Sequence, residues 1–221
     1  MTKAVRLSLN KAEEYRKRLN KMLAPYRVPH TGKAVWQIIN TIVPYFLLWG
    51  IMVYLLNRGV PFWYILPLVI LAGGLLVRIF IIFHDCCHGS FLASRKAMKI
   101  IGYVTGVLTF TPYINWRQDH LLHHATSGNL DERGVGDVWT MTVDEYQTAH
   151  PHKKLAYRLY RNPFVLLILG PIYSFFIKQR FTPKGARKKV RRSILFTNIG
   201  IAAILILAGF TIGLKTYLLL Q

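Results

Sequence analysis

The sequence predicts an all-α integral membrane protein of about three transmembrane helices, with re-entrant or interfacial helices between them and a histidine-box region on the cytoplasmic side. Three observations carry that prediction. Of 221 residues 52% are hydrophobic, yet the formal net charge is +20. The Lys and Arg residues gather beside apolar runs, as in Arg187-Lys188-Lys189-Val190-Arg191-Arg192 before Ile194, which is where juxtamembrane flanks put them. Several apolar runs also reach the roughly 20 residues that one bilayer crossing needs. This placement of charge argues against a nucleic-acid partner, despite the strong basicity.

Residues 1–34 form a basic amphipathic segment: nine Lys or Arg lie between 3 and 33, against Glu13 and Glu14. Such a segment is expected to lie along the headgroups until Pro25 and Pro29 break it. It lacks the apolar core of a cleavable signal peptide, so the N-terminus is expected to stay cytoplasmic. Residues 35–56 make the first span, with Trp36 and Trp49 as interface candidates. A turn through Asn57-Arg58-Gly59-Val60-Pro61 leads to a second span over 62–83, whose one charge, Arg78, is close enough to its end to snorkel to the headgroups.

Residues 98–113 are apolar but only 16 long and rich in Gly and Thr. A crossing there would put the histidine motifs before and after it on opposite faces, so the segment is expected to be re-entrant or interfacial. A polar stretch over 115–162 follows, with an ordered loop predicted over 128–139. Residues 164–177, interrupted by Gly170-Pro171, should dip in and return, because eight Lys or Arg between Lys178 and Arg192 mark a cytoplasmic segment. Residues 193–214 complete a third span. The membrane domain is thus 35–214, and 215–221 is expected as a tail on the far side.

Five of the eight histidines fall in two boxes, His84-Asp85-Cys86-Cys87-His88 and His120-Leu121-Leu122-His123-His124. Spacings of i, i+4 and i, i+3, i+4 project each set from one face of a helix. His84, His88, His120, His123 and His124 are therefore candidate metal ligands; imidazole suits iron, zinc and copper alike. Their second ring nitrogens need acceptors, and Asp85, Asp119, Asp131 and Asp137 are the carboxylates at hand. Asp119 and Asp131 read equally well as helix caps or solvated charges. Cys86 and Cys87 read as apolar filler on a buried helix. His30, His150 and His152 read as polar surface.

His84-Asp-Cys-x-His88-x-Ser-Phe91, Trp116 ahead of the second box, and Gly136-Asp-Val-Trp-Thr140 together resemble the membrane fatty acid desaturases, nearest the bacterial and plastid acyl-lipid ω-6/Δ12 type. The resemblance implies a non-haem di-iron enzyme that uses O₂ to place a cis double bond in membrane lipid acyl chains. It implies electrons from a separate ferredoxin- or cytochrome-type donor, and the five box histidines as iron ligands. A related hydroxylase is a variant of the same chemistry. The family also carries a third HxxHH box, whereas His150-Pro-His152 has the wrong spacing. The ligand set is therefore expected to be incomplete, the chain inactive alone, and the remaining histidines to lie beyond Gln221, in a complementing C-terminal segment. A non-catalytic truncated membrane protein with a partial metal site is the alternative. Tyr113, Trp116 and Trp139 read as interface anchors or as the mouth of an acyl tunnel; no substrate-binding residue is singled out.

Overall fold

The computed structural model describes residues 3–134 and 136–221, and it is helical with no strand among the described residues. The first helix, α1 (Lys3–Leu23), passes into a 3₁₀ turn at Ala24–Arg27 that begins with Pro25. The side chains of 3–12 and Arg27 lie outside the described residues, as does Val135 of the loop expected over 128–139. Those of residues 13–26 are all exposed, as a surface helix requires.

Two helices of 27 residues, α2 (Thr31–Asn57) and α3 (Phe62–His88), form the central pair. At 1.5 Å per residue each is about 40 Å long, enough to cross a bilayer with some tilt. They meet through Tyr45, Met52, Ile65, Ala72 and Ile79, all buried. His30, expected as plain surface, caps α2: its Nδ1 accepts from the Lys33 N–H at 3.4 Å. Arg78 does more than reach for headgroups, since its Nη2 donates to Asn40 Oδ1 at 2.8 Å and ties α3 to α2.

Ser94 caps α4 (Arg95–Leu108) by accepting from the Ala97 N–H. With 14 residues, α4 reaches about 21 Å, short of a bilayer's roughly 30 Å hydrocarbon core. It runs along α3 and stops at a turn where Phe110 adopts φ 55°; α5 (Tyr113–Thr126) then leads back to the second histidine box. The hairpin closes over small residues. A Cβ on Gly106 would lie 2.5 Å from Thr111 O and 3.0 Å from the Phe83 ring, and one on Gly102 would lie 2.4 Å from the Tyr113 ring. Thr105 and Thr109 donate their hydroxyls to carbonyls four residues back, so their polarity is satisfied inside the hairpin. The segment over 98–113 is thus re-entrant in form, and both boxes lie at one end of the bundle.

Two short helices, α6 (Val143–Thr148) and α7 (Pro151–Tyr160), follow. The next, α8 (Val165–Arg180), is bent 63° from α7. In α8 the Gly170 N–H donates to Val165 O, five residues back, and π turns flank the single α turn at Gly170–Ile172. Pro171 explains the widening, because its ring would strike the carbonyl four residues earlier in a regular α-helix. Tyr160 before α8 and Lys178 near its end line the same cavity, so the run starts and finishes on the histidine side. Arg180 then anchors it, donating to Phe110 O and to Asn198 Oδ1.

The last long helix is α9 (Lys188–Thr211); among the described residues α2, α3 and α9 are the three single helices long and apolar enough to cross a membrane, with the bent pair α7–α8 a fourth if it is one span. Residues 215–221 do not trail away as a tail. Gly213, at φ 82°, reverses the chain into α10 (Leu214–Leu220), where Tyr217 packs 5.5 Å from the Trp49 ring and Leu220 is buried with Ala72 and Ile79. The physical reason is Tyr217 and Leu220, three residues apart on one face of α10, which bury apolar surface by folding back on α2 and α3 while Leu218 and Leu219 stay exposed.

Overpacking the α4–α5 hairpin should be felt directly. Gly106→Ala is expected to lower stability by about 1–3 kcal/mol. Gly74→Ala, where an added Cβ meets nothing within 4 Å, should not lower it. Thermal unfolding of the two variants in detergent checks the difference.

Candidate metal centre

The first box is placed by the way α3 stops. Gly89, at φ 76°, lets the Ser90 N–H reach Asp85 O (3.3 Å) and the Gly89 N–H reach Cys86 O (3.2 Å), which ends the helix one residue after the box. Helix α5 adds a second donor to Cys86 O and supplies the donor to Cys87 O. The Tyr113 hydroxyl donates to Cys86 O at 3.1 Å, and Arg117 Nε donates to Cys87 O at 2.7 Å. A guanidinium here also meets the negative end of the α3 dipole. Tyr113, Arg117, His120 and His124 recur at steps of four, three and four, so one face of α5 both caps α3 and carries histidines to it. The Cys86 and Cys87 side chains point into the core with Ile82, Phe83 and Phe91, as expected of apolar filler.

At this junction four imidazoles converge. His84 Nε2 lies 3.2 Å from His88 Nε2 and 2.9 Å from His120 Nε2; His88 Nε2 is also 2.9 Å from His120 Nε2, and His124 Nε2 is 3.1 Å from it. All four nitrogens fall within 4.8 Å of one another. Hydrogen bonding cannot account for the triangle of His84, His88 and His120. A neutral imidazole Nε2 either donates one proton or accepts, so three mutual contacts near 3 Å cannot all be donor–acceptor pairs. A shared cation resolves them, since adjacent ligands about 2.1 Å from a metal sit about 3 Å apart. The donor set therefore fits a metal ion.

The surrounding groups prepare these nitrogens. Asp85 Oδ1 lies 3.0 Å from His84 Nδ1, which favours a proton on Nδ1 and frees the Nε2 lone pair. Trp116 stacks on His120 with ring centroids 4.2 Å apart and planes at 20°. Burial, with His84, His124 and the other nearby imidazoles adding to it, pushes the His120 pKa down to about 4, so that ring is neutral at pH 7.

His123, predicted with the others, is turned aside. Its Nδ1 lies 2.8 Å from Asp137 Oδ1, close but off the line of a good hydrogen bond. Gly136 makes that approach possible: a Cβ there would come within 3.0 Å of His123 Cβ, and its φ is 76°. Of the other predicted acids, Asp131 is exposed, its backbone N–H on Asn129 Oδ1, and no hydrogen bond joins Asp119 to a histidine among the described residues. Asp119 instead lines a cavity of about 270 Å³ with His120, His123 and Lys178. Sequence reading missed the roles of Tyr113, Arg117 and Gly136. The signal for the first two was their shared helical face with His120.

Comparison with known proteins places these features in company. The family profile described as "Fatty acid desaturase" matches residues 61–220. A Bacillus subtilis protein named fatty acid desaturase is 48% identical over 205 residues, covering 93% of this chain and 58% of that protein. Two Synechocystis proteins are also similar. One, named an sn-1 oleoyl-lipid 12-desaturase, is 30% identical over 66% of this chain and 43% of its own length. The other, named an sn-1 acyl-lipid omega-3 desaturase (ferredoxin), is 32% identical over 55% of this chain and 32% of its own length. The chain thus spans between about a third and three fifths of these relatives. No solved structure matches it.

Two outcomes test the site. His88→Ala should abolish tight metal retention, and Arg117→Leu, which strands the Cys87 carbonyl at a cost of about 1–3 kcal/mol, should weaken it. His123→Ala should spare most of it, and metal content per purified chain reads all three. Separately, the folded metal-free protein resists protonation of His120 down to about pH 4, whereas the unfolded chain takes that proton near 6.5. Stability should therefore fall as pH drops from about 6.5 towards 4, and His120→Ala should flatten that slope in thermal melts.

Proposed function

The chain belongs to the fatty acid desaturase family, a family of oxidoreductases, and from that premise we propose that its histidine cluster is part of a di-iron centre that desaturates membrane lipid acyl chains. The observation that carries this reading is the triangle of Nε2 atoms from His84, His88 and His120, which a shared cation would reconcile. Bound there, iron would supply activation of O₂ and removal of hydrogen from an unactivated acyl carbon.

The chain's own residues supply the setting. Asp85 holds the His84 ring, while Tyr113 and Arg117 fix α5 against the end of α3. Phe80 and Phe83 pack on Trp116 at 5.4 and 5.2 Å, and Trp116 packs 5.9 Å from His84. This apolar wall lies against the imidazoles and keeps water from that side, the side from which a hydrocarbon chain would approach. Asp137 orients His123, the fifth candidate ligand, towards the cavity shared with Asp119. Two iron ions need more donors than five histidines, so we assign the rest to a complementing C-terminal segment outside this sequence. The basic run before and into α9 supports a cytoplasmic position for the cluster. Three relatives carry ferredoxin in their names, which favours a ferredoxin-type electron donor over a cytochrome.

The test is expression in a host without desaturases, read as fatty acid methyl esters. This chain alone should give no new double bond, and a frame extended to include the complementing segment should give one that His88→Ala removes. An iron-loaded extended protein that leaves the acyl chains unchanged would overturn the reading in favour of a non-catalytic membrane protein. A new double bond from this chain alone would overturn the ligand count.

A further inference from the structure

A second surface remains unused by the metal site. No acidic residue follows Glu145 in the sequence, so every formal charge on α7 and beyond it is positive; Asp144 and Glu145, both in α6, are the last acids before it. Lys154, Arg158 and Arg161 recur at steps of four and three along α7, with Lys153 beside them. The nearby acid Glu145 is already committed: both its oxygens are held by the Arg133 guanidinium, and one also accepts the Thr142 N–H. The α7 cations are therefore not neutralised by Glu145.

Those cations surround the start of a line of aromatic rings. Lys154 and Arg158 each lie 5.8 Å from the Tyr146 ring, and Arg158 Nε donates to the Tyr146 hydroxyl. Tyr146 is 5.8 Å from Tyr157, and Tyr157 is 5.2 Å from Trp139. Two residues before Trp139 stands Asp137, against His123, whose ring lies 5.8 Å from His124 and 6.3 Å from His120. The basic run over 184–192 carries more positive charge, six Lys or Arg against the four of the α7 group, but it is not the surface from which these rings lead inwards.

We propose that the α7 face is the docking surface for a small acidic electron-carrier protein, seated over Tyr146 and Tyr157. The proposal rests on the desaturase reading above for its partner's chemistry. Positive charge concentrated around the half-buried Tyr146 and Tyr157 rings steers and orients an acidic partner there, and the attraction weakens as salt screens it. The aromatic line gives that orientation a purpose: the rings run inwards from Tyr146 through Tyr157 to Trp139, and the short backbone step from Trp139 to Asp137 leads on to His123.

The test uses the full chain, metal-free, in nanodiscs of zwitterionic lipid, with an acidic plant-type [2Fe–2S] ferredoxin as probe. Binding should be lost between about 50 and 200 mM salt. The double variant Lys154→Glu, Arg158→Glu should raise Kd at least tenfold, whereas Lys188→Glu, Lys189→Glu should leave it within twofold. Equal effects of the two pairs, or no binding at low salt, would overturn the proposal. So would unchanged ferredoxin binding together with loss of co-purifying phosphatidylglycerol in the α7 variant, which would give the surface to lipid headgroups. Because the readout is binding to metal-free protein, an inactive enzyme that still binds ferredoxin through α7 would count against the catalytic reading and not against this surface.

Discussion

The end of α3 is the constraint on which the rest depends. A helix that stops abruptly leaves carbonyls with no partner inside it, and at a membrane surface they must be met by other groups. Here α5 supplies the Arg117 guanidinium to Cys87 O, and its Tyr113 hydroxyl joins the Gly89 N–H on Cys86 O. Satisfying the helix end and assembling the metal site are thereby one event, because His120 and His124 follow on the same face of α5. The registry between boxes is set by backbone hydrogen-bond demand, and the imidazoles inherit it.

Much of the remaining architecture serves that junction. α4 and α8 are short or irregular, and each is held near the histidine end by contacts that a regular crossing helix would not make. In α4 the contacts are close approaches at Gly102 and Gly106; in α8 they are the π turns around Pro171 and the bonds from Arg180 to Phe110 and Asn198. The long helices supply rigidity: α2 and α3 pair along their length, α9 packs against α4 and α5, and α10 fills the groove near Trp49 and Ala72.

The boxes were legible in the sequence because their spacing is a property of one helix at a time. Which histidines meet was not, because that depends on how two helices are rotated against each other. His123 and His124 are neighbours in sequence about 100° apart around α5, and only His124 turns to the cluster. The same limit hid Arg117: a basic residue beside a membrane reads as a flank until the carbonyl it meets is known. Asp85 was readable as a partner through its adjacency to His84, and Asp137 as one carboxylate among four. Its selection depends on Gly136, whose left-handed backbone brings the loop against His123. The span count was legible from apolar length, but the fold-back at Gly213 was not, since a seven-residue helix is too short to register as a crossing.

The separation of the boxes along the chain also sets a timetable for making the protein. His120 follows His84 by 36 residues. At ordinary rates of synthesis of about 5–20 residues per second, the second box appears a few seconds after the first. During that interval the first box offers two imidazoles on a helix end that still lacks its partners from α5. Two imidazoles hold a metal ion far more weakly than four, so the nascent chain is a poor trap for whichever ion is most avid, copper or zinc above all. For a chain that holds a metal at this cluster, metal choice would thus be deferred to the stage at which α5 has docked on the end of α3.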